Sequence, residues 1–357
     1  MSNETASSPD ASTPVKDAPA PFSGVVDSDN DTRPADFILR SGDGVDFHVR
    51  KDMLQVLSDF FQGMFSMPKG SDHDDICRDG KVVLLLPESA NVVYALLWIA
   101  YPRQAWSRNP LAESDIDSIA DVHAAANKYQ FLIVERLVKE MLEGPVLLDA
   151  HPHRLFAIAR LRGLPVLAQK AALHTLRSPV SVYPLAFPEM DLLPWSTGQK
   201  LHDFHRQCGV AASKQVKKAT IPTSTGSTSI NFYLTNGETG DVFIWWSGLN
   251  FGVQDAHSAK CSPRSILKNG NEGVRRGRST PVPWFRSHIE QLASQLLAYP
   301  AANTVEDKAL KIAPTERAII DGCDACSKHA DSDLANFARR LTKDVEALNV
   351  ELFERLL

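Results

Sequence analysis

Two cysteines near the end of this 357-residue chain have the spacing that most directly indicates chemistry. Cys323 and Cys326 form a Cys-x-x-Cys pair, which can present two thiolates to a zinc ion that then needs two further ligands. His205 and Cys208 are three residues apart in a predicted helix, so both can lie on one of its faces. One interpretation is a closed structural zinc site with the ligands His205, Cys208, Cys323 and Cys326. The other is a pair of ordinary small residues at a helix start, with no cofactor.

A basic stretch from residue 260 to residue 288 carries a local formal charge of +6. Its centre holds Arg275, Arg276 and Arg278, a run that can contact phosphate or serve as a nuclear import signal. No aromatic side chain separates these arginines, so the stacking that single-stranded nucleic acid needs is missing. We expect a nuclear import signal or a solvated loop here, and no nucleic-acid site.

The common catalytic signatures do not occur in the sequence. It has no Gly-x-Ser-x-Gly elbow, no His-Glu-x-x-His pair, no phosphate loop ending in Gly-Lys-Ser/Thr and no dinucleotide fingerprint. We therefore predict that the chain is not an enzyme.

The charge and composition of the chain limit the classes of partner that we expect it to bind. Residues 1–34 carry −4 of the formal net charge of −5, so the remainder is nearly neutral and shows no global field for nucleic acid or membrane. This first segment is rich in Ser, Asp, Pro and Ala, and we predict a disordered acidic tail. No run approaches the roughly 20 apolar residues of a membrane span. Five cysteines, an odd number without a secretory leader pattern, predict the cytosol or nucleus.

Residues 35–145 read as a globular α+β unit. The alternation in 45–49 predicts a half-buried strand, and 36–40 and 81–87 read as two more strands. Leu54 and Leu57 then mark a short helix, and Ser58 can cap a second helix that carries Phe60, Phe61, Met64 and Phe65. Three longer helical patterns follow strand 81–87, namely 92–101, 115–129 and 131–142.

The run from Phe47 to Phe65 resembles the opening of a BTB/POZ domain, whose signature is approximately Phe-x-x-(His/Arg)-Lys-x-x-Leu-x-x-x-Ser-x-Phe-Phe-x-x-Met-Phe. The order of strands and helices is also similar to that family. The resemblance implies a small sheet with helices that acts by protein–protein contact. It further implies a homodimer in many members, although residues 1–34 show neither the extra helix nor the extra strand that many BTB dimers use. Leu111-Ala112-Glu113 resembles the apolar-x-Glu motif of cullin-binding members, so Leu111 and Glu113 are the predicted cullin contacts.

The rest of the chain is predicted to be mainly helical, with a β-hairpin insertion. Strands 230–234 and 242–246 flank Asn236-Gly237, a common hairpin turn sequence. The predicted segments are an acidic tail at 1–34, the BTB/POZ domain at 35–145, a helical region similar to a BACK extension at 146–218, a loop-rich insertion at 219–282 and C-terminal helices at 283–357. The two functional hypotheses are a substrate adaptor for a cullin ubiquitin ligase and a BTB scaffold or transcription-associated protein without a ligase link.

Overall fold

The chain divides into two compact units, Met1–Ala150 and His151–Leu357. The computed structural model describes residues 15–24, 33–67, 76–101, 110–111, 114–180, 187–220, 243–246, 257–258, 261, 264–266 and 278–357. Each unit is described by itself below.

A five-stranded mixed sheet organises the first unit, with the strand order β1-β3-β2-β5-β4. Its strands are β1 Lys16–Asp17, β2 Phe37–Arg40, β3 Val45–Val49, β4 Cys77–Arg78 and β5 Lys81–Leu85. β2 pairs antiparallel with β3 and parallel with β5. The tight turn between β2 and β3 has Gly44 at a φ of 81°, a left-handed conformation that favours glycine. Phe37, Leu39 and Phe47 are buried on this sheet.

Six helices accompany the sheet in the described part of this unit. They are α1 Lys51–Leu57, α2 Asp59–Ser66, α3 Ala90–Ala100, α4 Ile116–Lys128, α5 Leu132–Leu142 and α6 Pro145–Ala150. The Ser58 hydroxyl caps α2 by accepting the Phe61 backbone N–H at 3.1 Å, and it donates to the Tyr129 carbonyl at 2.6 Å. One serine therefore begins α2 and ties it to the end of α4. The predicted fold class is confirmed, since a small sheet with helices precedes a mainly helical region.

The prediction of a disordered tail over residues 1–34 is wrong for residues 15–24. Lys16 and Asp17 form β1, which pairs parallel with β3 at the sheet edge. Phe22 is buried against the rings of Phe47, Tyr94 and Tyr101. Composition favoured disorder because the segment has only one aromatic residue, yet burial of that ring and pairing along β3 offset the ordering entropy.

A buried ionic network fastens β1 to the sheet. Asp46 on β3 is fully buried and accepts two hydrogen bonds from Arg40, at 2.5 and 2.9 Å. Arg78 on β4 donates to Asp46 at 2.6 Å and to Asp17 on β1 at 2.8 Å. His48 lies 3.0 Å from the same Asp17 carboxylate. Side chains from β1, β2, β3 and β4 therefore share one set of charges.

The second unit is mainly helical. Its helices are α7 Pro152–Arg162, α8 Pro165–Thr175, α9 Pro188–Asp191, α10 Trp195–Lys217, α11 Pro283–Ala298, α12 Ala302–Ala309, α13 Pro314–Asp321 and α14 Asp324–Leu356. Gly163 ends α7 in the left-handed conformation, with φ 65°, as expected for a helix C-terminus. The last helix, α14, is 33 residues long, and its buried seam includes Leu334, Phe337 and Leu341.

The predicted hairpin is only partly within the described residues. Strand 230–234 lies outside them, and Ile244–Trp246 forms a 3-10 turn where the second strand was predicted. Phe243, Ile244, Trp245 and Trp246 are all buried, whereas a surface hairpin strand would bury alternate residues. Among the described residues of the second unit, the strand pair lies further along the chain, where β6 Arg264–Ile266 pairs antiparallel with β7 Arg278–Thr280.

Aromatic rings fill the core of the second unit. Trp245 stacks on Phe285 with ring centroids 4.1 Å apart, and on its other side Phe243 stacks at 4.6 Å. Trp284 and Phe337 meet the Trp245 ring edge-on. These contacts anchor the short 243–246 segment between α11 and α14.

Candidate functional site

Cys323 and Cys326 begin the longest helix of the second unit. α13 ends at Gly322, Cys323 caps the N-terminus of α14, and Cys326 lies in its first turn. Three-residue spacing at a helix start turns both side chains to the same side. Both thiols are fully buried and neither forms a disulfide.

Two residues from the predicted loop-rich insertion complete a group around this pair. His257 and Cys261 bring their ligand atoms to within 4.8 Å of each other and of the Cys323 and Cys326 sulfurs. His257 Nδ1 is 3.4 Å from Cys326 Sγ and 3.6 Å from Cys323 Sγ. Cys261 Sγ is 3.4 Å from Cys326 Sγ. One imidazole and three thiols therefore converge on one point.

These separations match a tetrahedral coordination shell. With Zn–S bonds of about 2.3 Å and Zn–N bonds of about 2.0 Å, ligand atoms around zinc lie about 3.5–3.8 Å apart. Three of the six separations among the ligand atoms are 3.4–3.6 Å, close to those edges. The four residues therefore form a Cys₃His group that could hold a metal ion.

Neighbouring N–H groups support the ligand atoms. The Ser258 backbone N–H points at Cys323 Sγ at 3.4 Å, and the Trp284 indole N–H points at Cys326 Sγ at 3.4 Å. His257 Nε2 lies 2.9 Å from the Ile244 carbonyl oxygen. A proton on Nε2 that is donated to this carbonyl leaves Nδ1 free to bind a cation, which is how metal-ligating histidines are usually held.

Protonation at the group depends on whether a cation is bound. Burial lowers the pKa of His257, but its hydrogen bonds with Cys326 and Cys323 outweigh burial and raise that pKa to about 9. The contact with Cys261 and burial raise the pKa of Cys326 to about 12. A coordinated cation reverses this preference, because a metal-ligating thiol loses its proton outright.

His205 and Cys208 are not members of this group. Both lie in α10, where His205 Nε2 is 2.9 Å from the Ser178 carbonyl oxygen. Cys208 is a buried core residue, and burial raises the pKa of its thiol to about 12. Of the four predicted ligands, the structure brings together Cys323 and Cys326. The other two members of the group are residues 257 and 261. The signal available in the sequence was the His-x-x-x-Cys spacing of His257 and Cys261. That spacing lies in a polar stretch, and its cysteine is 62 residues before Cys323.

The other predicted site residues lie largely outside the described part. Arg275 and Arg276 are outside it, and only the backbone of Arg278 is described, at the start of β7. Glu113 is also outside it. Leu111 is described and is 3% exposed, so its side chain belongs to the core of the first unit and is not presented to a partner in this conformation.

An apolar helix face lies open in the first unit. On α5, Leu132 is 62% exposed and Ile133 is 55% exposed, and Leu137, one turn after Ile133 and on the same side as it, is also exposed. The opposite side of α5 is buried through Val134, Val138 and Leu142. The three exposed residues are called the α5 face below.

A family model described as the BTB/POZ domain matches residues 27–144. The match covers strands β2–β5 and helices α1–α5, in the order expected from the Phe47–Phe65 signature. The chain contains a BTB/POZ domain. β1 precedes the matched residues, and the α5 face lies near the end of the domain.

BTB/POZ domains are generally interaction modules, so this domain supports a role in protein–protein contact. The comparison with curated proteins found no match. Within the described ranges, no helix is both long and apolar enough to cross a bilayer. That the chain is not an enzyme stays a prediction.

Proposed function

We propose that the chain is a non-catalytic adaptor whose BTB/POZ domain binds one protein and whose helical unit binds another. The observation that supports this most is the division into an interaction domain, Met1–Ala150, and a second compact unit, His151–Leu357. Two separate compact units allow two partners to be held by one chain.

The partner proposed for the BTB/POZ domain is a cullin N-terminal domain, as in a ubiquitin ligase adaptor. The α5 face supports a protein partner, because three apolar side chains of one helix are open to solvent there and apolar contact is the main favourable term in protein association. Glu113 is the proposed acidic contact, after its resemblance to the cullin-binding motif.

A BTB scaffold or transcription-associated protein without a ligase link is the second candidate. The burial of Leu111 favours it, because an apolar-x-Glu contact needs its apolar residue at the surface. In this case the BTB/POZ domain would bind a second copy of the chain or another protein, and Arg275–Arg278 would direct nuclear import.

Binding by full-length variants tests the α5 face. We expect Ile133→Lys with Leu137→Lys to lower affinity for an immobilised cullin N-terminal domain by at least about tenfold, the effect of roughly 1.4 kcal/mol. Val210→Lys on α10 is the matched control, since Val210 is also an exposed helical residue. Unchanged cullin binding by the double variant, with an unchanged circular dichroism spectrum, would remove the α5 face from the proposal.

A further inference from the structure

We propose that His257, Cys261, Cys323 and Cys326 bind one Zn²⁺ ion as a closed structural site. This proposal is independent of which protein the BTB/POZ domain binds. It rests on the convergence of four ligand atoms in the second unit.

The donor set selects the metal. Three thiolates and one imidazole suit zinc, whereas magnesium and calcium require oxygen ligands. Four protein ligands complete a tetrahedral shell and leave no position for water or substrate, which is the mark of a structural site. The nearby N–H donors of Ser258 and Trp284 offset part of the thiolate charge.

Binding is accompanied by a defined proton release. Cys261, Cys323 and Cys326 each lose a thiol proton to solvent, and each sulfur donates an electron pair to the ion. His257 also releases the proton on Nδ1, binds as the neutral imidazole through that nitrogen, and keeps its Nε2 proton on the Ile244 carbonyl. The Zn²⁺ ion and the three thiolates together have a net charge of −1, and the two N–H donors point at this negative group.

The ion would join two segments that are far apart in sequence. His257 and Cys261 lie between the described stretches 243–246 and 264–266, whereas Cys323 and Cys326 begin α14. Trp284 connects the site to the aromatic core, since its N–H reaches Cys326 and its ring contacts Trp245 and Phe285. Zinc would therefore hold the 257–261 segment to this core, much as a disulfide closes a loop.

Metal analysis of the full-length chain tests the proposal. Protein purified without chelator should contain one zinc ion per chain by inductively coupled plasma mass spectrometry. Cys323→Ser with Cys326→Ser should reduce zinc to background, while Cys77→Ser and Cys208→Ala should retain the full content. The two controls remove an exposed and a buried thiol that lie outside the group.

Two measurements keep the test decisive if the double variant misfolds. His257→Cys preserves four soft ligands and should retain zinc, whereas His257→Ala should lose it. In the unmodified chain, a zinc chelator should make Cys261, Cys323 and Cys326 newly reactive to a maleimide, with Cys77 reactive throughout. Absence of zinc, zinc retained by the double variant, or thiol reactivity independent of chelator would each overturn the proposal.

Discussion

Asp46 combines complete burial with two arginine partners. Burial alone would raise its pKa, but hydrogen bonds from Arg40 and Arg78 outweigh burial and hold that pKa below the ordinary value of 3.8. The folded-state pKa is thus lower than the unfolded one, so this carboxylate stabilises the fold above about pH 4 and the stabilisation is lost as pH falls through the folded pKa. Asp17 behaves likewise, since its hydrogen bond with His48 and its contact with Arg78 lower its pKa.

Substitution of Asp46 tests this network. We expect Asp46→Asn to lower the free energy of unfolding by about 1.5–3 kcal/mol at neutral pH, the usual loss for hydrogen bonds to a charged group. The difference from the unmodified chain should shrink in acid, where Asp46 is protonated in both states. Urea unfolding from neutral to acidic pH measures it, with exposed Asp307→Asn as the control. A difference that does not depend on pH would contradict a role for the ionised carboxylate.

Leu111 and Glu113 are two residues apart, and we expect their substitution to affect different properties, stability for the first and cullin binding for the second. Leu111→Ala should lower stability by about 2–5 kcal/mol, because it leaves a cavity at a buried position. Glu113→Ala should leave stability unchanged and weaken cullin capture, and exposed Glu351→Ala should affect neither. Unchanged cullin capture by Glu113→Ala would count heavily against the adaptor hypothesis.

Only half of the candidate metal site could be found at the residue scale. Cys323 and Cys326 are recognisable in the sequence because they are three residues apart and lie at the start of a helix. His257 and Cys261 are separated from that pair by a strand pair and three helices, and a sequence gives no distance across such a gap. Helical spacing of His205 and Cys208 favoured the wrong region, because it describes one face of α10 and nothing about what that face meets.

At the scale of elements, the packing of α10 on α11 depends on a glycine. A β-carbon added at Gly209 would lie 2.7 Å from the backbone carbonyl oxygen of Leu297, a distance that side chains do not adopt. We expect Gly209→Ala to destabilise the chain, although alanine favours an isolated helix by about 1 kcal/mol. Gly63→Ala on α2 is the matched control, since its β-carbon meets nothing within 4 Å and should raise stability by up to about 1 kcal/mol. Thermal unfolding of both variants measures this, and a stabilised Gly209→Ala would contradict the close helix contact.

Elements with strong periodicity were predictable, and elements held by distant partners were not. The alternation around Phe47 identifies β3, and the Ser58 cap identifies the start of α2. β1 has two residues and no apolar alternation, and it is held by Arg78, which lies 61 residues from Asp17. The 243–246 segment has strand-like composition but packs as a buried 3-10 turn, because the rings of Phe285 and Phe337 surround it.

At the scale of the whole molecule, we expect the two units to have different roles. The BTB/POZ domain carries the α5 face and the proposed cullin contact Glu113, while the helical unit carries the proposed zinc site. Zinc removal should therefore alter the helical unit and leave cullin binding by the BTB/POZ domain intact. Limited proteolysis before and after chelation checks this, with new cleavage expected within residues 151–357. New cleavage confined to residues 1–150 would contradict the assignment.

The adaptor hypothesis is tested most directly by size-exclusion chromatography with light scattering on the full-length chain, alone and mixed with a cullin N-terminal domain. We expect a mixed peak whose mass exceeds that of the chain by whole cullin domains, and loss of that peak with Ile133→Lys and Leu137→Lys. The mass of the unmixed peak shows at the same time whether the chain pairs with itself. Separate elution of the two proteins at micromolar concentration would contradict the cullin adaptor, and a dimeric mass for the chain alone would then favour the scaffold.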